Sequence, residues 1–96
     1  MDTIENACKE LQKLLSGINS ADSSKVDAAT IEKLDKISAA ADSLGMKSGK
    51  KLIENLSTVL KSFKDGKAEG SSVSLRITAL DFYLKKVLEG QGLEDI

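Results

Sequence analysis

Hydrophobic residues recur at spacings of three and four along four successive stretches of the chain, and this spacing places them on one face of an α-helix. The first predicted helix runs from about Thr3 to Ile18, and the second from about Lys25 to Leu44. The third runs from Ser48 to Lys64, and the fourth from Val73 to about Glu89. The four faces consist of Ile4, Cys8, Leu11, Leu15 and Ile18, then Val26, Ile31, Leu34, Ile37, Ala41 and Leu44, then Leu52, Ile53, Leu56, Val59, Leu60 and Phe63, and finally Val73, Ile77, Leu80, Leu84 and Val87.

Polar residues and glycines mark the ends of these helices, and the chain contains no proline to interrupt them. Asp2 and Glu5 have the spacing of a capping box at the start of the first helix. Gly45 follows the second helix, where a residue in the left-handed conformation is common. Ser71 or Ser72 is the predicted N-cap of the fourth helix.

Four amphipathic helices with short connections predict one architecture. Each helix has a single dominant hydrophobic stripe, and four such stripes can bury one another. The fold class is therefore all-α, an antiparallel up-and-down four-helix bundle. Residues 1–90 form one domain, and residues 91–96 are expected to be a flexible C-terminal tail.

The charge and residue composition exclude several functions. The chain carries 14 basic and 15 acidic residues, and Arg76 is its only arginine. Nucleic-acid binding is not expected, because phosphate and base recognition favours a basic, arginine-rich surface. The chain has no histidine and one cysteine, Cys8. Without a histidine base or the ligands of a zinc site, we expect no enzymatic activity, no metal site and no cofactor.

The same features indicate where the chain resides. No hydrophobic run approaches the roughly 20 residues that span a bilayer, so membrane insertion is not expected. The N-terminal residues lack the basic and hydrophobic regions of a signal peptide. The single cysteine cannot form an intramolecular disulfide, which fits a reducing compartment. We therefore expect a cytoplasmic protein.

The fourth predicted helix has a second hydrophobic stripe. Steps of 100° per residue place Leu75, Ala79 and Phe82 roughly opposite Leu80 and Leu84. Two interpretations are open. The bundle could wrap far enough to bury these side chains, or they could form an exposed patch that meets a partner or a second copy of the chain.

The second predicted helix also presents a distinctive outward face. The residues that point away from its hydrophobic stripe are Ala28, Glu32, Asp35, Ala39 and Asp42. Small residues on this face would let another backbone approach closely, and the acids would give it a negative rim. The alternative is an ordinary solvated face, in which the alanines serve helix propensity.

Three lysines cluster at the start of the third helix. Lys47, Lys50 and Lys51 lie where cations oppose the helix dipole. Because local energetics disfavour this placement, the cluster indicates a partner contact.

Two other side chains have structural interpretations: Cys8 is expected in the core, and Tyr83 at its border with the hydroxyl group reaching solvent.

Residues 35–45 read Asp-Lys-Ile-Ser-Ala-Ala-Ala-Asp-Ser-Leu-Gly. This pattern resembles part of a histidine-containing phosphotransfer (HPt) domain. That family has a histidine, then Leu-Lys-Gly and small residues, then Leu-Gly, and then an amphipathic helix. Here Ile37 occupies the leucine position, Ala39 the glycine position, and Leu44-Gly45 the Leu-Gly. The chain length and helix order are also similar to those of a minimal phosphotransfer bundle.

The resemblance implies a degenerate phosphotransfer domain. Asp35 stands at the histidine position, Ser38 replaces the basic residue three positions later, and a shifted register would move the histidine position to about Ser38 or Ala39. In either register no phosphohistidine can form. Such a domain could still dock a bacterial response-regulator receiver domain through its second helix. Asp35 would then carry a permanent negative charge and mimic a phosphorylated or acidic site.

We therefore predict a non-catalytic protein–protein interaction module of two-component signalling type. Its predicted partner is a receiver domain. The alternative function is a self-associating structural or chaperone-like helical protein that uses the hydrophobic patch on the fourth helix. The candidate contact residues for receiver docking are Glu32, Asp35, Ser38, Ala39, Asp42, Lys47, Lys50 and Lys51, and those for self-association are Leu75, Ala79 and Phe82.

Overall fold

All four predicted helices are present in the computed structural model, which describes residues 3–90. They are α1 (Ile4–Ser16), α2 (Ala28–Ser43), α3 (Lys47–Lys64) and α4 (Gly70–Leu88). A short 3-10 turn, Ser23–Lys25, lies in the connection between α1 and α2. Within the described residues there are no strands, so the all-α prediction is confirmed. The predicted tail, residues 91–96, lies outside the described part of the chain.

The starts of α1 and α2 differ from the prediction because other side chains cap them. The Asn6 amide donates to the Thr3 hydroxyl at 3.1 Å, so Thr3 is the N-cap of α1. Asp2 of the predicted capping box lies outside the described residues. The Ala29 amide donates to the Asp27 carboxylate at 2.9 Å, which makes Asp27 the N-cap of α2 and delays that helix beyond the predicted Lys25.

The start of α4 was also predicted wrongly. The helix begins at Gly70, with Glu69 as its N-cap and no side-chain capping hydrogen bond. Ser71 and Ser72 therefore lie inside the first turn. The backbone of Ser20 lies so close to Gly70 that a side chain at this position would meet it.

Glycines in the left-handed conformation end α2 and α3, as predicted for Gly45. Gly45 has φ of +80°, and the Met46 amide donates to the Ala41 carbonyl oxygen at 2.8 Å. Gly66 has φ of +75° and is followed by the equivalent bond from the Lys67 amide to the Ser62 carbonyl oxygen. These bonds satisfy carbonyl groups that a helix end leaves unpaired and let the chain reverse within a few residues.

The helices pack in an antiparallel cycle. α2 packs on α3, α3 on α4, and α1 lies against both α2 and α4. Side-chain contacts fix the direction of α2 against α3: Asp35 meets Ser57, whereas Asp42, further along α2, meets the earlier residue Lys50. The four-helix bundle is therefore confirmed. Among residues 3–90, no helix has the length and hydrophobicity needed to cross a bilayer.

The hydrophobic core runs the length of the bundle. It is built from the four predicted stripes together with Met46 at the α2–α3 corner. Its most fully buried large side chains are Leu11, Leu34, Ile53, Leu56, Leu60, Leu80 and Leu84. At its margin, the Ser74 hydroxyl donates to the Ser20 hydroxyl at 2.9 Å, which ties the α1–α2 connection to α4.

Candidate protein-interaction surfaces

The outward side of α2 forms the first candidate surface, which we call the α2 face. It consists of Glu32, Asp35, Ala39 and Asp42, all of which are exposed. Their spacing of three, four and three residues aligns them along the helix. Ala39 leaves an open stretch of helix surface between the two aspartates, where a partner could approach closely.

The aspartates of the α2 face are oriented by α3. One carboxylate oxygen of Asp35 accepts a hydrogen bond from the buried Ser57 hydroxyl at 2.8 Å, and the other lies 3.7 Å from the Lys61 ammonium. The Asp42 carboxylate lies 3.7 Å from the Lys50 ammonium. The Asp35 carboxylate is thus ordered beside a cation. Exposed pairs of this kind contribute at most about 1 kcal/mol each, so a partner can displace them cheaply.

Ser38 does not belong to the α2 face, and its assignment as a partner contact is wrong. Its side chain is only 6% exposed. The reason is helical periodicity: Ser38 follows the core residue Leu34 by four positions and precedes Ala41 by three. Phosphotransfer domains have a basic residue three positions after the histidine. The residue at the corresponding position here is Ser38, which is buried.

The lysines at the start of α3 lie beside one end of the α2 face. Lys47 and Lys51 are exposed, whereas Lys50 is half-buried beside Asp42. Met46 is the N-cap residue of α3 and makes no side-chain capping bond. These cations therefore sit at an uncapped helix start, where the dipole favours negative charge.

The second candidate surface, which we call the α4 patch, consists of Leu75, Ala79 and Phe82. Leu75 is 65% exposed and Phe82 is 64% exposed, and Ala79 between them is also exposed. The bundle therefore does not wrap around to bury them, which decides between the two interpretations of this stripe. The Lys86 ammonium lies 5.2 Å from the centre of the Phe82 ring, in cation–π range.

A groove between α3 and α4 adjoins the α4 patch. Its volume is about 380 Å³, and Leu75 forms part of its wall. Val59 and Ala68 supply further hydrophobic lining, and the remaining lining residues, among them Lys67 and Arg76, are polar or charged. The sequence did not reveal this groove, because Val59 lies on the predicted core stripe of α3 and Ala68 in the turn that follows.

No protein-family model, curated protein or solved structure matches this chain. The candidate surfaces are therefore identified from the exposure and charge of their own residues. Within residues 3–90, no group of three or more cysteine, aspartate or glutamate side chains could hold a metal ion.

Tyr83 and Cys8 lie on the inner side of α4 and α1. Burial raises the pKa of the Tyr83 hydroxyl, and the neighbouring Cys8 adds to this effect. The hydroxyl is fully buried against the backbone of Gly49, so the prediction that it reaches solvent is wrong. The cause is Gly49: an added Cβ there would lie 2.8 Å from the Tyr83 oxygen, so the hydroxyl occupies the space that a side chain would fill.

Replacing Gly49 by alanine is expected to lower the free energy of unfolding by about 1 kcal/mol. The added methyl group would displace the Tyr83 ring, which costs more than the gain in helix propensity. Urea unfolding measures the change. In a Tyr83→Phe background the nearest atom is gone, so the same substitution should cost less. An equal cost in both backgrounds would show that the Tyr83 hydroxyl does not contact Gly49.

The Cys8 thiol is expected to react slowly in the native chain. It is completely buried, and burial raises the pKa of the thiol, so little thiolate is present at neutral pH. We expect a disulfide reagent to modify it more than about a hundredfold more slowly than in the chain unfolded in guanidinium. Similar rates in the two states would contradict the placement of Cys8 in the core.

Proposed function

We propose that the chain is a non-catalytic protein–protein interaction module that binds a receiver domain of a bacterial response regulator. Docking uses the α2 face together with Lys47, Lys50 and Lys51. The observation that carries the proposal is the exposure of Asp35 and Ala39. These residues stand at the histidine and glycine positions of the phosphotransfer resemblance, so the surface that would dock a receiver is open.

The charges of this region support a polar, specific interface. Acidic side chains run along α2, and the lysines of α3 lie at one end of them. A partner with complementary charges would be steered to the surface and held in a single orientation. Ala39 provides close approach at the centre, with the ordered Asp35 carboxylate beside it.

The proposed role is binding without phosphoryl transfer. The chain contains no histidine, so the phosphohistidine of the family cannot form. Asp35 offers a carboxylate whose orientation is set by Ser57 and Lys61. A module of this kind would occupy a receiver domain and compete with an active phosphotransfer domain for the same surface.

Two substitutions test the docking surface. Ala39→Lys places a long cation at the centre of the α2 face, and Asp35→Lys reverses the charge beside it. We expect each to weaken binding to a receiver domain at least about tenfold in calorimetric titrations. The matched control is Ala29→Lys, which puts the same side chain at another exposed position of α2 away from this face.

The control variant shows whether a loss of affinity is specific to the α2 face. Ala29→Lys should leave the affinity within about twofold of the wild type. Equal losses from Ala29→Lys and Ala39→Lys would assign the effect to net charge and not to the α2 face. Failure of every receiver domain to bind, or unchanged affinity in both α2-face variants, would refute receiver docking.

A further inference from the structure

We propose that the chain forms a weak symmetric dimer in which two copies of α4 pack antiparallel, with Phe82 of each copy inserted into the α3–α4 groove of the other. This inference goes beyond the proposed function and does not rest on it. It uses the opposite side of the bundle, since α2 contacts α1 and α3 while α4 carries the patch.

The first support is the exposure of the α4 patch. Leu75 and Phe82 leave about two thirds of their side chains in water, whereas the hydrophobic residues on the inner side of the same helix are buried. A continuous hydrophobic stripe along one helix is suited to a second helix, and the small Ala79 at its middle allows two helices to approach closely.

The second support is that the distance between Phe82 and Leu75 along α4 matches the position of the groove. Phe82 follows Leu75 by seven residues, which is two helical turns or about 10 Å. In an antiparallel pair crossing near Ala79, Phe82 of one copy lies level with Leu75 of the other. Leu75 forms part of the groove wall, and the groove volume of about 380 Å³ accommodates a phenyl ring.

The third support is charge complementarity. Arg76, which lines the groove, can face the incoming aromatic ring, as Lys86 already does within its own chain. Glu89 follows Phe82 by another seven residues and is exposed. In the same register, Glu89 of one copy lies beside the start of α4 in the other copy. Lys67 in the turn before α4 lines the groove at that end. Each contact occurs twice, as in any interface formed around a twofold axis.

The dimer is expected to be weak. One helix face is smaller than the roughly 800 Å² per partner of a standard interface, so a dissociation constant on the order of 100 µM is expected. The two α2 faces would remain uncovered on the outer sides of such a dimer. It could therefore bind two partners at once.

Sedimentation equilibrium over a concentration series tests the dimer. The apparent mass of the wild type should rise from 10.2 kDa towards twice that value. Phe82→Asp and Leu75→Asp should each weaken association at least about tenfold, because each buries a charge at the centre of the interface. Glu10→Lys, on the exposed side of α1, is the control and should not weaken it. A monomer at all concentrations, or a dimer that survives Phe82→Asp, would overturn the proposal.

A charge exchange tests the register. Lys67→Glu places like charges opposite each other and should weaken the dimer about threefold. Adding Glu89→Lys should restore the wild-type affinity, since the pair is then reversed. A double variant that stays weak would overturn the antiparallel register. Circular dichroism of each variant would confirm folding, which these exposed positions should not disturb.

Discussion

Replacing Gly70 by alanine is expected to lower the free energy of unfolding by about 3 kcal/mol. A Cβ atom at Gly70 would overlap the carbonyl oxygen of Ser20. This neighbour is backbone and cannot rotate away as a side chain can. The hydrogen bond between Ser74 and Ser20 holds it in place. The α1–α2 connection would have to leave α4 to admit a single methyl group.

The matched control is Gly17→Ala, at the C-cap of α1. Gly17 has φ of −93°, and its added Cβ would meet only the Leu14 carbonyl oxygen at an ordinary 3.6 Å. We expect its stability to equal or slightly exceed that of the wild type, since alanine restricts the unfolded chain more than glycine does. Urea unfolding of both variants makes the comparison. A Gly70→Ala chain as stable as Gly17→Ala would contradict the docking of the connection against α4.

Leu80→Ala is expected to lower the free energy of unfolding by about 3 kcal/mol, whereas Leu75→Ala on the same helix should change it by less than about 0.5 kcal/mol. Leu80 is completely buried and Leu75 is mostly exposed. The first substitution leaves a cavity in the core, and the second removes a side chain that lies largely in water. The same substitution at Leu80 and at Leu75 therefore distinguishes the buried hydrophobic stripe of α4 from the exposed one.

The comparison is made by urea unfolding at protein concentrations of a few micromolar, where association does not add to stability. Under these conditions a Leu75→Ala variant destabilised as much as Leu80→Ala would show that the outward stripe is covered within the monomer. The α4 patch would then not be available to a second copy.

The fold could be predicted from the sequence because its signals agree. The hydrophobic periodicity, the polar connections and Gly45 all indicate the same four helices. The helix starts were less predictable. Asp27, and not a residue near Lys25, caps α2. α4 begins at Gly70, which lies against the backbone of Ser20, 50 residues away in sequence. No local pattern reveals a contact of that kind.

The candidate surfaces were predictable only in part. Periodicity placed the α2 face away from the hydrophobic stripe of its helix, and its residues are exposed. For the α4 patch, periodicity left burial and exposure open, and the structure shows that the patch is exposed. Ser38 was predicted wrongly as a contact, although its spacing from Leu34 and Ala41 places it on the buried side. The buried hydroxyl of Tyr83 depends on the missing side chain of Gly49 in another helix, which sequence periodicity cannot report.

We propose docking of a receiver domain on the α2 face, and NMR chemical-shift mapping tests this proposal most directly. The isotope-labelled chain is titrated with unlabelled receiver domains. We expect shift changes that cluster at Glu32, Asp35, Ala39 and Asp42 and at the lysines at the start of α3. Absence of shifts with any receiver, or shifts confined to the α4 patch, would contradict it.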